Sequence, residues 1–378
     1  MTSVCNRGVR TRCFVWLAAA LIAGALPLTA SGKDVKTAGW AMKPDPPASP
    51  VKWPEKLSLN IAQADRADEL LFPTNLSEYV LSNLKHYESD GGELWNLTTG
   101  KRVGAIKGSP SKAHKRALSP DGQYLAINVL GGDIPNLVEV WSLSTGQKVA
   151  SWQADEAKMS MTILDFAGPG EVLTYTFGNP TGKFAYHLRV WDAQSGKPAR
   201  QFDLKQTIGG DKHYQVSPGR RYLATMHSGE VAFFDLTNGE KVGAVAPPNK
   251  TEAGENVNSE GFRFSPDGSE IAVISDSFNA TTIRAFDLET GDAKLTHDLP
   301  SFKFGLQHAS SYKGPSVDYA TDGSAFLFFG SALVDRESGM VLWTYQSPPA
   351  DYNHWPRILT PAGLISSVGS RRDCKVQV

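Results

Sequence analysis

The 378-residue chain is long enough for one large all-β domain or two average ones, and its 41% apolar and 20% charged content is that of a globular protein with a core. The formal charge is −1 with Lys and Arg scattered, so there is no basic stripe of the kind nucleic-acid binding needs.

Taken in chain order, the first segment is of a different material from the rest. Arg7, Arg10 and Arg12 precede an apolar run from Cys13 to Leu28, and the small residues Thr29, Ala30, Ser31 and Gly32 follow. This is the grammar of a secretory signal peptide, predicted over 1–32, with a mature chain that begins between Ala30 and Lys33. The run is shorter than the roughly 20 residues a spanning helix needs. An uncleaved membrane anchor is the alternative. Cleavage removes three arginines and leaves a mature charge of −4. Cys5 and Cys13 go with the leader, so Cys374 has no partner for an internal disulfide. No other long apolar run follows, so no membrane span is expected in the mature chain. The expected location is periplasmic or extracellular.

Residues 33–55, with "MKPDPPASPVKWP", are rich in proline and poor in periodicity, and read as a stiff linker. After them one phrase keeps returning: "LWNLTTGKRVGAI" from Leu94, "VWSLSTGQKVASW" from Val140, "VWDAQSGKPARQF" from Val190 and "FFDLTNGEKVGAV" from Phe233. "AFDLETGDAKLTH" from Ala285 and "LVDRESGMVLWTY" from Leu333 complete the set. The turn glycines Gly100, Gly146, Gly196, Gly239, Gly291 and Gly339 are 46, 50, 43, 52 and 48 residues apart. A strand-borne period of that length indicates a solenoid or a propeller. Each phrase predicts a hairpin, because Thr/Ser-Gly or Asn-Gly supplies the positive φ of a tight turn.

A second turn lies midway between phrases. It is clearest in "LSPDGQYLAINV" from Leu118, "VSPGRRYLATMH" from Val216 and "FSPDGSEIAVIS" from Phe264, and weaker from Phe166, Tyr319 and Leu359. Pro presets φ, Asp bonds its own backbone and Gly takes the left-handed step. Each unit is therefore four antiparallel strands. The SPDG turns and the pair Trp191-Asp192, with its variants Phe234-Asp235, Phe286-Asp287 and Trp95-Asn96, resemble WD-repeat β-propellers over about residues 56–378. The Gly-His dipeptide of that family is missing, which implies that its His-centred polar network is missing too. This places the resemblance nearer the divergent bacterial propellers.

Counting the units predicts an all-β, seven-bladed propeller of four-stranded antiparallel blades over 56–378. The tail after Gly339 supplies three strands, and "KLSLNIAQ" (Lys56 to Gln63) is expected to pair with Lys375 to Val378 and close the last blade. Closure would remove open sheet edges.

The two turn types project from one face, and the longer, more variable connections from the other. Loops concentrated on one rim mark a binding face in repeat proteins. The aromatic and imidazole side chains of those loops, His86, Tyr87, Phe184, Phe302, Phe304, His308, Tyr312, Tyr352, His354 and Trp355, are the candidate partner-binding residues. The alternative for Phe302, Phe304 and Trp355 is packing of loops onto the sheet.

No HExxH, CxxC, GxSxG or EF-hand loop occurs, and the eight histidines lack metal-ligand spacing. "GNPTGK" (Gly178 to Lys183) reads as a turn between strands rather than a phosphate loop. No cofactor, metal or catalytic residue is therefore assigned. The expectation is an exported scaffold that binds another protein or an extracellular ligand through its long-loop face. The alternative is a propeller enzyme using the central channel. "ALVDRESGMVLW" (Ala332 to Trp343) resembles the quinoprotein dehydrogenase repeat, which implies pyrroloquinoline quinone with calcium, and propeller lactonases place carboxylates around a metal.

Overall fold

A computed structural model describes residues 35–36, 40–47, 70–71, 79–82, 92–96, 99–106, 113–129, 133–205, 207–208, 214–248, 257–277, 280–300, 317–320, 322–328, 330, 332–344, 358–360, 363–368 and 375–377. After β1 (Val35–Lys36), blade one pairs β2 (Leu70–Leu71), β3 (Tyr79–Ser82), β4 (Gly92–Asn96) and β5 (Lys101–Ile106) in sequence order. Blade two holds β6 (Ala113–Leu118), β7 (Tyr124–Val129), β8 (Leu137–Ser142) and β9 (Lys148–Gln153). Blade three holds β10 (Met159–Gly168), β11 (Glu171–Gly178), β12 (Ala185–Asp192) and β13 (Pro198–Asp203). In blade four, β14 (Tyr214–Val216), β15 (Tyr222–His227), β16 (Glu230–Asp235) and β17 (Lys241–Ala246) are joined by β1 on the outer edge. Blade five is β18 (Asn258–Phe264), β19 (Glu270–Asp276), β20 (Ala280–Asp287) and β21 (Ala293–Pro300). Blade six is β22 (Val317–Tyr319), β23 (Ala325–Phe328), β24 (Ala332–Asp335) and β25 (Val341–Thr344).

Every pairing in these blades is antiparallel, and first strands of blades two and three and of blades five and six lie against one another. The chain is a β-propeller. Its central strands are apolar at consecutive positions because both of their faces are buried. In β15, Tyr222, Ala224 and Met226 enter a cluster with Phe262, Phe264 and Phe286 of blade five, while Leu223 joins Ile163 and Leu188 of blade three. Similar clusters bridge blades one and two, two and three, and five and six. Each fully buried Phe or Leu contributes about 1.5–3 kcal/mol, so the cohesion lies between blades as much as within them. The six phrase-turn glycines hold φ of 65 to 76°, the left-handed step the sequence predicts for them.

The expected seven-bladed ring is overturned: among the described residues six four-stranded blades form. β26 (Ile358–Thr360), β27 (Gly363–Val368) and β28 (Lys375–Gln377) make a three-stranded sheet, with no fourth strand among the described residues. The strand invoked to complete it, 56–63, lies outside the described residues. The N-terminal pairing that is described goes elsewhere: Val35 and Lys36 pair with Ala246 and Val245 of β17. Counting turns registers a three-stranded tail as a blade; it does not show where an early strand finds its edge.

Residues 40–47, within the stretch that reads as a linker, lie in the cleft between blades four and five. Met42 is buried in their shared core, with Trp40 packed against it. Among the described residues no helix is long and apolar enough to cross a membrane.

Candidate functional site

The long-loop face is best defined at blade three. β11 and β12 pair without a register break from Glu171–Asp192 to Gly178–Ala185, and the connection between them carries "GNPTGK" as a turn with Gly182 at φ 88°. At its end stands Phe184, 67% exposed, stacked on Tyr186 with centroids 6.5 Å apart and planes 13° apart. Tyr186 is anchored in turn: its ring packs against the core between blades three and four, and its carbonyl accepts from the Leu204 amide at 2.8 Å. Phe184 is thus an exposed aromatic on a fixed support. Of the candidate residues it is the one described. His86, Tyr87, Phe302, Phe304, His308, Tyr312, Tyr352, His354 and Trp355 lie outside the described residues.

Beneath this ridge is a network that the sequence reading missed. Asp155, in the connection from β9 to β10, is 8% exposed. Its Oδ2 accepts from Thr176 Oγ1, from Arg189 Nη1 at 2.6 Å and faces His187 Nδ1 at 2.7 Å, while Oδ1 accepts from the Glu156 amide at 2.9 Å. Burial works to raise the carboxyl's pKa, but the Thr176, His187 and Glu156 donors together with the Arg189 charge outweigh it, so the carboxyl sits below its ordinary value. Nδ1 of His187 also lies 3.1 Å from Arg189 Nη2, so this ring nitrogen stands between the carboxylate and the guanidinium. Nε2 faces Asp203, whose Oδ1 is 3.8 Å away at the surface. The imidazole is thereby held in orientation, with Nε2 at its outer edge.

The missing Gly-His dipeptide implies the absence of the resembled family's own network; blade three nonetheless holds a polar network that centres on Asp155 and includes a histidine. It is built from a different position, and its signal is the alternation of β12, where His187, Arg189 and Trp191 share one face of the strand. Trp191 Nε1 donates to Thr174 Oγ1 at 2.8 Å. Tyr186, Leu188 and Val190 take the other face.

Inner strands carry a second polar set. Arg263 Nε of β18 donates to Asp318 Oδ1 of β22 at 3.0 Å, and Gln215 Oε1 of β14 accepts from the Phe264 amide at 3.0 Å. These bonds stitch blade five to blades six and four. Among the described residues no group of three or more His, Cys, Asp or Glu side chains is placed to hold a metal ion. No family model matches the chain.

Proposed function

We propose that the protein is an exported, non-catalytic propeller that binds another protein through its long-loop face, with the Phe184–Tyr186 ridge and the outer edge of His187 as its best-defined contact. One observation carries this reading: a large aromatic ring stands two-thirds exposed on a rigid strand pair, where packing of the propeller gives it no role. Aromatic anchors beside oriented polar groups are the residues that dominate protein interfaces, and truncating one commonly costs 2 kcal/mol or more, about thirtyfold in affinity. The buried network supports the same reading, because it spends an Asp, a Thr and an Arg on holding one imidazole in place.

The test is capture from an envelope extract by immobilised protein. Wild type should retain a partner that Phe184→Ala retains far less, at an unchanged melting temperature. Equal capture by both would remove Phe184 from the interface.

A further inference from the structure

Blade four departs from the repeat in two places, and residues 40–46 fill both. In blade two Ser119 Oγ donates to Asp121 Oδ1 at 2.7 Å, and the Gln123 amide donates to the same oxygen at 3.2 Å. Blade five repeats the pattern with Ser265, Asp267 and the Ser269 amide. Blade four reads Ser217-Pro218-Gly219-Arg220 and has no turn carboxylate of its own. There Asp45 supplies it: Oδ1 accepts from Ser217 Oγ at 3.0 Å and from the Arg221 amide at 3.4 Å, and Oδ2 from the Gly219 amide at 2.6 Å.

Gly219 does not use glycine's freedom, since the left-handed step falls on Arg220 at φ 63°. What Gly219 provides is room: a Cβ there would meet the Pro46 carbonyl oxygen and lie 2.6 Å from Asp45 Cγ.

The second departure is on the outer strand. Trp152 of β9, Phe202 of β13 and His297 of β21 each cover the turn glycine of the next blade, at Gly196, Gly239 and Gly339. The corresponding position on β17 is Val245, which pairs with Val231 as Trp152 pairs with Val138 and Phe202 with Leu188. Its aromatic comes from the N-terminal segment. Trp40 lies 2.6 Å from where a Cβ of Gly243 would stand and 2.7 Å from one on Gly291, and its Nε1 donates to the Glu289 carbonyl at 3.2 Å. Between these two anchors the Ala41 amide donates to the Val242 carbonyl at 2.7 Å. The Tyr222 hydroxyl clasps Lys43 on both sides, accepting from its amide at 2.8 Å and donating to its carbonyl at 2.7 Å.

We propose that the cleft between blades four and five is a peptide-recognition site, kept occupied by the chain's own residues 40–46, whose rule is Trp, then Met two residues on, then Asp three beyond. The ligand class is an extended peptide: β1 adds a strand to the β17 edge, and Pro44, Pro46 and Pro47 hold the other end extended at little ordering cost. Because the segment is continuous with the chain but recognised side chain by side chain, the same peptide presented separately should seat in the same place.

The test uses the full chain with a protease-recognition sequence inserted after Pro47. After cutting, a labelled synthetic peptide of residues 33–47 should exchange into the protein and raise its fluorescence anisotropy saturably, with no such rise in the uncut protein. Peptides carrying Trp40→Ala or Asp45→Ala should bind at least about tenfold more weakly. Uptake of the doubly substituted peptide as readily as the unaltered one, or equal uptake by uncut protein, overturns the proposal. A second measurement needs no cut. Hydrogen exchange at the Ala41 and Lys43 amides should be slow in the wild type and at least about tenfold faster in Gly243→Ala, with β15 and β16 unchanged. Fast exchange at both amides in the wild type overturns it as well.

Discussion

Replacing Gly219 by Asp should change sign in its effect on stability according to whether residues 40–46 are seated. In the intact chain the new side chain meets the Pro46 carbonyl oxygen and the Asp45 carboxyl, so the segment must leave the turn. The hydrogen bonds from Ser217 Oγ and the Gly219 amide to Asp45 go with it. Bonds to a charged acceptor of this kind contribute about 1.5 kcal/mol each, and the freed chain regains part of that as entropy, for a net loss of about 1–2 kcal/mol. In a chain of this size that is a melting-temperature drop of roughly 1–3 °C. In a chain that already carries Trp40→Ala and Asp45→Ala the segment no longer holds the turn. There Gly219→Asp restores a local carboxylate of the kind Asp121 gives Ser119, and stability should rise by about 1 kcal/mol. Thermal unfolding of the four proteins, followed by circular dichroism, reads the cycle. A shift of the same sign and size in both backgrounds would refute the reasoning.

Arg336→Met should be costly. Arg336 Nη2 donates to both oxygens of the buried Glu270 at 2.8 and 3.0 Å across blades five and six, and breaking such a pair costs about 3 kcal/mol. Thermal unfolding reads it, and no change would show that Lys294, 3.5 Å from Glu270, suffices. Asp155, whose pKa is lowered in the folded protein, stabilises the fold in its ionised form above the ordinary carboxylate range. That contribution is lost as pH falls through the lowered value, so the wild-type advantage over Asp155→Asn should shrink below about pH 4. Melting temperatures of the two proteins across an acid series check this, and a constant gap would contradict it. N-terminal sequencing of protein recovered outside the cytoplasm should begin between Ala30 and Lys33; Met1 on membrane-bound material would favour an anchor.

The repeating architecture was legible because it is local. A Ser/Thr-Gly or Asn-Gly pair needs its left-handed φ wherever it stands, and Gly146 or Gly239 adopts it in the fold as the phrase predicts. The blade count was not legible in the same way, because whether a terminal strand completes a sheet depends on which edge it reaches. Val35 and Lys36 reach β17. Asp45 and Gly219 are 174 positions apart, so nothing in either neighbourhood announces their bond. The cue was that two irregularities, Gly-Arg in place of Asp-Gly and "KVGAV" in place of an aromatic strand, fall in one blade. Phe184 could be picked out because a loop aromatic on the long-loop rim is visible in sequence. The Asp155 network was legible only in part: Thr176 and His187 face each other across the β11–β12 hairpin and Arg189 shares the His187 face, but nothing local ties Asp155, in the connection after β9, to them.

The central functional claim is that a partner binds the long-loop face and not the tight-turn face. A photo-crosslinking residue placed at position 184, and separately at 123, 147 or 241, reads this directly in envelope extract. The account predicts a discrete adduct from 184 and none from the other three. An adduct from 123, 147 or 241 with none from 184 would contradict it.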